Sequence, residues 1–155
     1  MKLRIVALGQ RMPAWVDAAF EDYARRMPRE LALELVEIKP QPRGRGRSLE
    51  QALAQEAKRI GAATTGWCVV ALDERGEPWT TAHLAARLVD WRDRGEAVAF
   101  VIGSADGIAE SIKRDADVIV ALSALTLPHG LARVVLAEQL YRASCLLAGH
   151  PYHRE

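Results

Sequence analysis

Side chains capable of chemistry gather at the end of this chain. Residues 150–155 read His-Pro-Tyr-His-Arg-Glu, which sets two imidazoles, a phenol and a guanidinium within six positions. Such a group can take up a proton, stack on a flat ring and steady negative charge. Chain termini also fray, and composition leaves open whether this tail docks or does nothing. Upstream, Glu138 and Arg142 stand four apart with the acid nearer the N-terminus, the spacing that places both on one helix face and lets them pair. Exposed, that pair would contribute only about 0.3–0.5 kcal/mol.

Two loops are unusual for opposite reasons. Residues 123–129 offer Ala124, Leu125, Leu127 and Pro128 to the interior, although loops are normally polar because their backbone N–H and C=O groups otherwise go unpaired. A flat heterocyclic ligand with a hydrogen-bonding edge would satisfy that backbone, and so would neighbouring strands around a buried turn. Residues 39–47, KPQPRGRGR, contain two prolines, two glycines and the four basic residues Lys39, Arg43, Arg45 and Arg47. Arginine pairs bidentately with phosphate and glycine permits close backbone approach; a charge run of this kind is just as often simply solvated.

The totals limit the setting. At 155 residues the chain is the size of one domain, with half its residues hydrophobic and a formal net charge of +1. Any contact with nucleic acid must therefore come from local clustering rather than from a global basic surface. Apolar runs are strand-length, so neither a membrane span nor a secretory signal is expected, and a cytosolic location follows. Cys68 sits in an apolar run and Cys145 in a helical stretch; they lack metal-ligand spacing, read as inert core thiols, and no metal is expected.

The elements that must position these residues alternate. Residues 2–8 read as a strand closed by Gly9, and Pro13 opens a helix whose apolar side carries Trp15, Val16, Phe20, Tyr23 and Met27. A strand is expected over 31–38. After the basic loop, Ser48 to Gln51 fits a capping box for a helix ending at Gly61. The continuous apolar run 67–72 has the signature of a strand covered on both faces, followed by a turn over 73–78. Thr80 or Thr81 caps a helix with the stripe Leu84, Leu88 and Trp91, ended by Gly95. Strands at 97–102 and 118–122 flank a short helix at 108–114, and a final helix spans 131–147. This alternation predicts a single α/β domain with a mostly parallel sheet and helices on both faces.

In such sheets ligands bind beyond the carboxyl ends of the strands. Leu72, Gly103 and Leu122 end the most hydrophobic strands, which should be central and adjacent. Gly103 to Gly107, GSADG, is neither a dinucleotide fingerprint nor a phosphate-binding P-loop. A nucleotide enzyme of the doubly wound type could still use these strand ends, and a non-catalytic particle-binding protein could carry the same tail.

Residues 122–129 (LSALTLPH), 133–143 (RVVLAEQLYRA) and the closing HPYHRE closely resemble the ribosomal RNA large subunit methyltransferase H family. The likeness extends over the whole chain, through KLRIVALGQRMPAWV, the Arg-Gly loop, LDERGEPW and FVIG. It implies a SPOUT-superfamily enzyme with a C-terminal trefoil knot. Such an enzyme uses S-adenosylmethionine to methylate N3 of a pseudouridine in 23S ribosomal RNA, on the ribosome and as a homodimer. By the same resemblance the donor is held by Leu72, Gly103, Leu122, Ser123, Ala124, Leu125, Thr126 and Leu127. Departures fall at Ser104 and Ala105, where the family resembles Gly-Gly followed by a small residue or proline. Of the tail, His153 is the candidate base, and Arg142 or Arg154 would stabilise charge on the pyrimidine oxygens. Tyr152 would stack on the base, with Glu138 orienting Arg142 or accepting the proton. Arg43, Arg45 and Arg47 are the candidate RNA contacts.

Overall fold

The computed structural model describes residues 1–44 and 46–154. Five strands, β1 (Leu3–Leu8), β2 (Leu33–Ile38), β3 (Cys68–Pro78), β4 (Val98–Ile102) and β5 (Val118–Ala121), form one parallel sheet in the order β2-β1-β4-β3-β5. Five helices accompany them: α1 (Ala14–Arg26), α2 (Leu49–Thr64), α3 (Thr81–Asp93), α4 (Glu110–Asp115) and α5 (His129–Leu147). The alternating pleat sends successive residues to opposite faces. Leu3, Ile5, Val98 and Phe100 pack with Phe20 of α1, Trp91 of α3 and Leu136 of α5. Val6, Leu8, Ala99 and Val101 meet Ile60 of α2 and Ile108 just before α4. The predicted two-sided α/β architecture is present. Among the described residues no helix is long and apolar enough to cross a membrane.

Several local expectations shift. The capping box at Ser48 is complete, with the Gln51 N–H donating to Ser48 Oγ at 3.1 Å and the Ser48 N–H to Gln51 Oε1 at 3.0 Å. Yet α2 continues past Gly61 to Thr64, because Thr64 and Thr65 return their hydroxyls to the carbonyls of Ile60 and Gly61. Its buried stripe is Ala52, Glu56, Ile60 and Thr64, which includes a carboxylate. Trp15, expected on the buried side of α1, is exposed, since Val16 and Phe20 define the inward face. β5 is an edge strand rather than a central one, and β1 takes a place inside the sheet between β2 and β4.

The largest departure concerns residues 73–78. They belong to β3, and both Leu72 and Glu77 align with Val120 of β5, so residues 73–76 bulge out opposite a single position. Gly76 makes this possible. A Cβ there would lie 2.6 Å from the Val120 carbonyl carbon, 2.7 Å from its nitrogen and 2.8 Å from the Ala121 nitrogen, closer than any side chain can approach fixed backbone. Replacing Gly76 with Ala should cost about 1–3 kcal/mol or more, as overpacking of a close-packed site does, and denaturant titration would show it as a lowered midpoint.

Candidate active site

Beyond the carboxyl ends of β4 and β5, and beside the bulge in β3, lies a cleft of about 730 Å³, within the size range of small-molecule sites. Leu72 and the 73–75 bulge form one wall, and residues 103–107 a second. Leu122, Ser123, Leu125, Thr126 and Leu127 form the third. Seven of the eight residues expected to hold a donor thus share one cavity, with Ala124 exposed on the same loop. An adjoining cavity of about 570 Å³ shares Leu72, Leu122, Ser123 and Leu127 and reaches Phe100, Leu136 and Gln139.

The third wall differs from expectation. Ala124, Leu125 and Pro128 are not turned to the interior; all three are exposed, Leu125 at 76%. The loop covers a cleft instead of filling a core. Residues 122–128 belong to neither strand nor helix, and the Leu125 N–H donates to Ser123 Oγ at 2.9 Å. The second wall is tight: a Cβ on Gly103 would come within 2.6 Å of Gly107 backbone atoms, so the loop folds back directly on its first residue. Both features suit a ligand read by backbone groups. On the first wall, Asp73 accepts from the Arg75 N–H at 2.9 Å and from Lys113 Nζ at 3.1 Å. These bonds, the backbone one foremost, hold its carboxyl below the usual carboxylate range.

At the back of the cleft stands the N-terminus of α5. Arg133, fully buried, gives Nη1 to Glu37 at 2.7 Å and Nη2 to the Gly9 carbonyl at 2.8 Å, tying α5 to the ends of β2 and β1. One turn earlier His129 lines the cleft, and burial first, then the Arg133 guanidinium, push its pKa down. Residue type and spacing did not mark Arg133 as a chemical residue. Its signal was a lone guanidinium on the helix side that carries Leu136, Ala137 and Leu140.

The tail residues form a second cluster. Arg142 gives Nε and Nη2 to Glu138 Oε1 at 2.8 and 2.7 Å, and the Tyr152 hydroxyl donates to the same oxygen at 3.1 Å. Gln139 Nε2 donates to Glu138 Oε2 at 2.7 Å, and its amide is oriented by the Thr81 hydroxyl, which donates to Gln139 Oε1 at 2.6 Å. Surrounded by donors, Glu138 holds the Arg142 guanidinium in place; Gln139 and Thr81 are supporting residues that spacing did not reveal. The Tyr152 ring lies under the Arg142 guanidinium at 4.8 Å and beside Tyr141 at 4.7 Å. Burial, the Tyr23 hydroxyl and the Glu138 carboxylate, in that order, raise the Tyr152 pKa, which keeps the phenol a donor. His153 Nδ1 contacts the His150 carbonyl, and Arg154 is exposed in the 3₁₀ turn Pro151–Arg154.

Within one chain the tail stays apart from the cleft. Glu138 is nine residues beyond His129 on α5, about 13 Å along the axis; Thr81 and Gln139 line the adjoining cavity, but no described residue of the tail lines either one. The basic loop is also divided. Arg43 gives both terminal nitrogens to the buried Glu56, at 3.2 and 3.0 Å, and Nε to Asp106 at 2.9 Å. It is a fixed internal tie and not an unencumbered phosphate contact. Arg47 is exposed, and Arg45 lies outside the described residues. Among the described residues no group of His, Cys, Asp and Glu could hold a metal. Burial, with Asp117 next, pushes Cys68 up to about 11, as befits an inert thiol.

Fold, cleft and sequence agree on one class. The chain belongs to the SPOUT methyltransferases, whose family model, described as "Predicted SPOUT methyltransferase", matches residues 1–153. Within that class it belongs to the ribosomal RNA large subunit methyltransferase H family. Proteins of that name from Nitrosospira multiformis and Laribacter hongkongensis are each 53% identical to it, over 99% and 100% of both chains respectively. That from Bordetella petrii is 54% identical over 99% of both. Two solved structures share the fold at low identity. A probable methylase family protein from Haemophilus influenzae has a TM-score of 0.63 at 13% identity, covering 97% of this chain and 69% of its own. A probable methyltransferase from Bordetella pertussis has a TM-score of 0.61 at 17% identity, covering 92% and 93%.

The depressed His129 pKa carries a pH dependence. Above its ordinary value of about 6.5 both folded and unfolded chains hold a neutral imidazole. Below it the unfolded chain takes up a proton first, so stability is lost as pH falls. Denaturant unfolding of the wild type should therefore weaken more steeply below about pH 6.5 than that of His129→Asn; parallel pH profiles would contradict this.

Proposed function

We propose that this chain transfers the methyl group of S-adenosylmethionine to N3 of a pseudouridine in 23S ribosomal RNA, on assembled cytoplasmic ribosomes. We read it as a homodimer with a trefoil knot at its C-terminal end. One observation carries the reading. Sequence-distant residues 72, 103 and 122–127 converge on one cleft in a chain about half identical, end to end, to proteins named ribosomal RNA large subunit methyltransferase H. The knot is supported by β5, which pairs with β3 on both sides of the 73–76 bulge, directly before the loop at 122–128. The dimer is supported by the separation of cleft from tail, since a second copy can bring its tail to the first copy's cleft.

Donor fit rests on the cleft's size and on the backbone at the tight Gly103 turn and the irregular loop. When bound, S-adenosylmethionine supplies an electrophilic methyl group on a sulfonium. What remains for the chain is to orient the base and to manage the N3 proton. A neutral His153 that donates Nδ1–H to the His150 carbonyl would keep Nε2 as the acceptor for that proton. Exposed Arg154 would steady the charge left on the pyrimidine oxygens. Arg142, bound to Glu138 and the Tyr152 carbonyl, shapes the tail that presents them.

Ribosomes lacking the modification, incubated with labelled S-adenosylmethionine, should gain label on one pseudouridine of 23S RNA. No incorporation while both partners bind would sink the enzymatic reading. His153→Ala should lower the single-turnover rate about 10²-fold or more with donor affinity unchanged, and an undiminished rate would remove it as base.

For RNA docking the remaining candidates are the exposed Arg47 and Arg45, which lies outside the described residues. Neutralising both should weaken ribosome binding and flatten its log–log salt dependence by about 0.7–0.9 for each phosphate that is no longer neutralised. An unchanged slope would make the loop merely solvated.

A further inference from the structure

The basic segment 39–47 and the cleft loop 103–107 are distant in sequence, yet one side chain joins them. Glu56 of α2 is 1% exposed, and a buried carboxylate is sustained only by close partners. Here they are the Gln41 N–H at 2.9 Å and both terminal nitrogens of Arg43. Arg59 adds bonds to the Lys39 carbonyl at 2.6 Å and Gln41 Oε1 at 2.9 Å, so the stem of the basic segment is fixed on α2. The remaining edge of the Arg43 fork faces the cleft loop, with Nε to Asp106 at 2.9 Å and Nη2 to Ser104 Oγ at 3.4 Å. Ser104 Oγ in turn accepts the Asp106 N–H at 3.3 Å, and Ser104 pairs with Gly107, so the loop behaves as one small unit. On the other side of Arg43 the Arg47 N–H reaches the Gly44 carbonyl at 3.2 Å. Anything that fixes Arg43 therefore also steadies Gly44, the residue that accepts from Arg47.

We propose that Arg43 is a positioning residue that couples the two loops, so that donor binding in the cleft stiffens the basic segment and RNA on that segment tightens the cleft. The inference rests on the reading of the cleft as the donor site. Coupling of this kind is reciprocal: whatever factor the donor adds to RNA affinity, RNA adds to donor affinity. A planar guanidinium suits the task because it can span Glu56 and Asp106 together, whereas an ammonium is a point charge without a fork.

The test is hydrogen exchange of the full chain with and without saturating S-adenosylmethionine. In the wild type the donor should slow exchange in 103–107 and also in 39–47. Arg43→Lys keeps a cation on Glu56 and removes the fork that reaches Asp106; Arg43→Gln keeps a hydrogen-bond donor for Glu56 with neither fork nor charge. Both variants should retain protection at 103–107 and lose it at 39–47. Affinity for large ribosomal subunits should rise about fivefold or more with donor in the wild type and stay flat in the variants. Protection confined to 103–107 in the wild type, or persisting at 39–47 in both variants, would overturn the coupling alone. No donor protection anywhere would overturn the donor reading together with it.

Discussion

The contact of Gly76 with the backbone of Val120 is the constraint on which the site depends. Because no side chain intervenes, β5 can lie against β3 on both sides of the 73–76 bulge. The bulge then brings Asp73, Glu74 and Arg75 to the cleft, and the chain leaving β5 is delivered at once to the loop at 122–128, the opposite wall. One missing Cβ thus allows the close approach of β5 to β3 next to the cleft. The tight return at Gly103 does the same for the middle wall, so two backbone approaches shape a site whose expected ligand is read largely by backbone.

Arginine–carboxylate ties then hold the frame. Arg133 with Glu37 anchors the front of α5, Glu138 with Arg142 binds its rear to the tail, and Arg43 with Glu56 secures the basic segment. Each pair is at least partly shielded from water, where geometry and additional hydrogen bonds decide whether a charge can be kept. The pairs at Glu138 and Glu56 have those bonds, from Tyr152 and Gln139 in one case and from the Gln41 N–H in the other. Between its two anchors α5 acts as a rigid spacer, which is why the imidazole-bearing tail and the cleft stand apart in a single chain.

Much of this was legible in residue order. Alternating periodicity gave the layers, the strand ends located the cleft, and the i,i+4 spacing of Glu138 and Arg142 announced a pair that exists. Local pattern misled where long-range contact decided the outcome. Residues 73–78 look like a turn, with Gly76 and Pro78, because the feature that makes them strand is β5, some forty residues later. Arg43 looks like a phosphate contact because a buried glutamate on an otherwise ordinary amphipathic helix gives no hint that it needs a cation. The apolar loop suggested a core, whereas Leu125 faces outward; hydrophobic residues imply contact without specifying whether the partner is the chain itself.

The strand order β2-β1-β4-β3-β5 also bears on how the chain can be made. β1 and β2 are neighbours and can pair as soon as both exist. β3 has only β4 and β5 beside it, and both are synthesised later. A nascent chain ending before Val98 therefore carries a finished pair and an apolar strand with no place in the sheet. β4, buried along its whole length between β1 and β3, is the keystone whose arrival unites the two halves. Parallel pairings of this separation are slow to close, so during translation an apolar strand of the core must wait for the partner that will cover it.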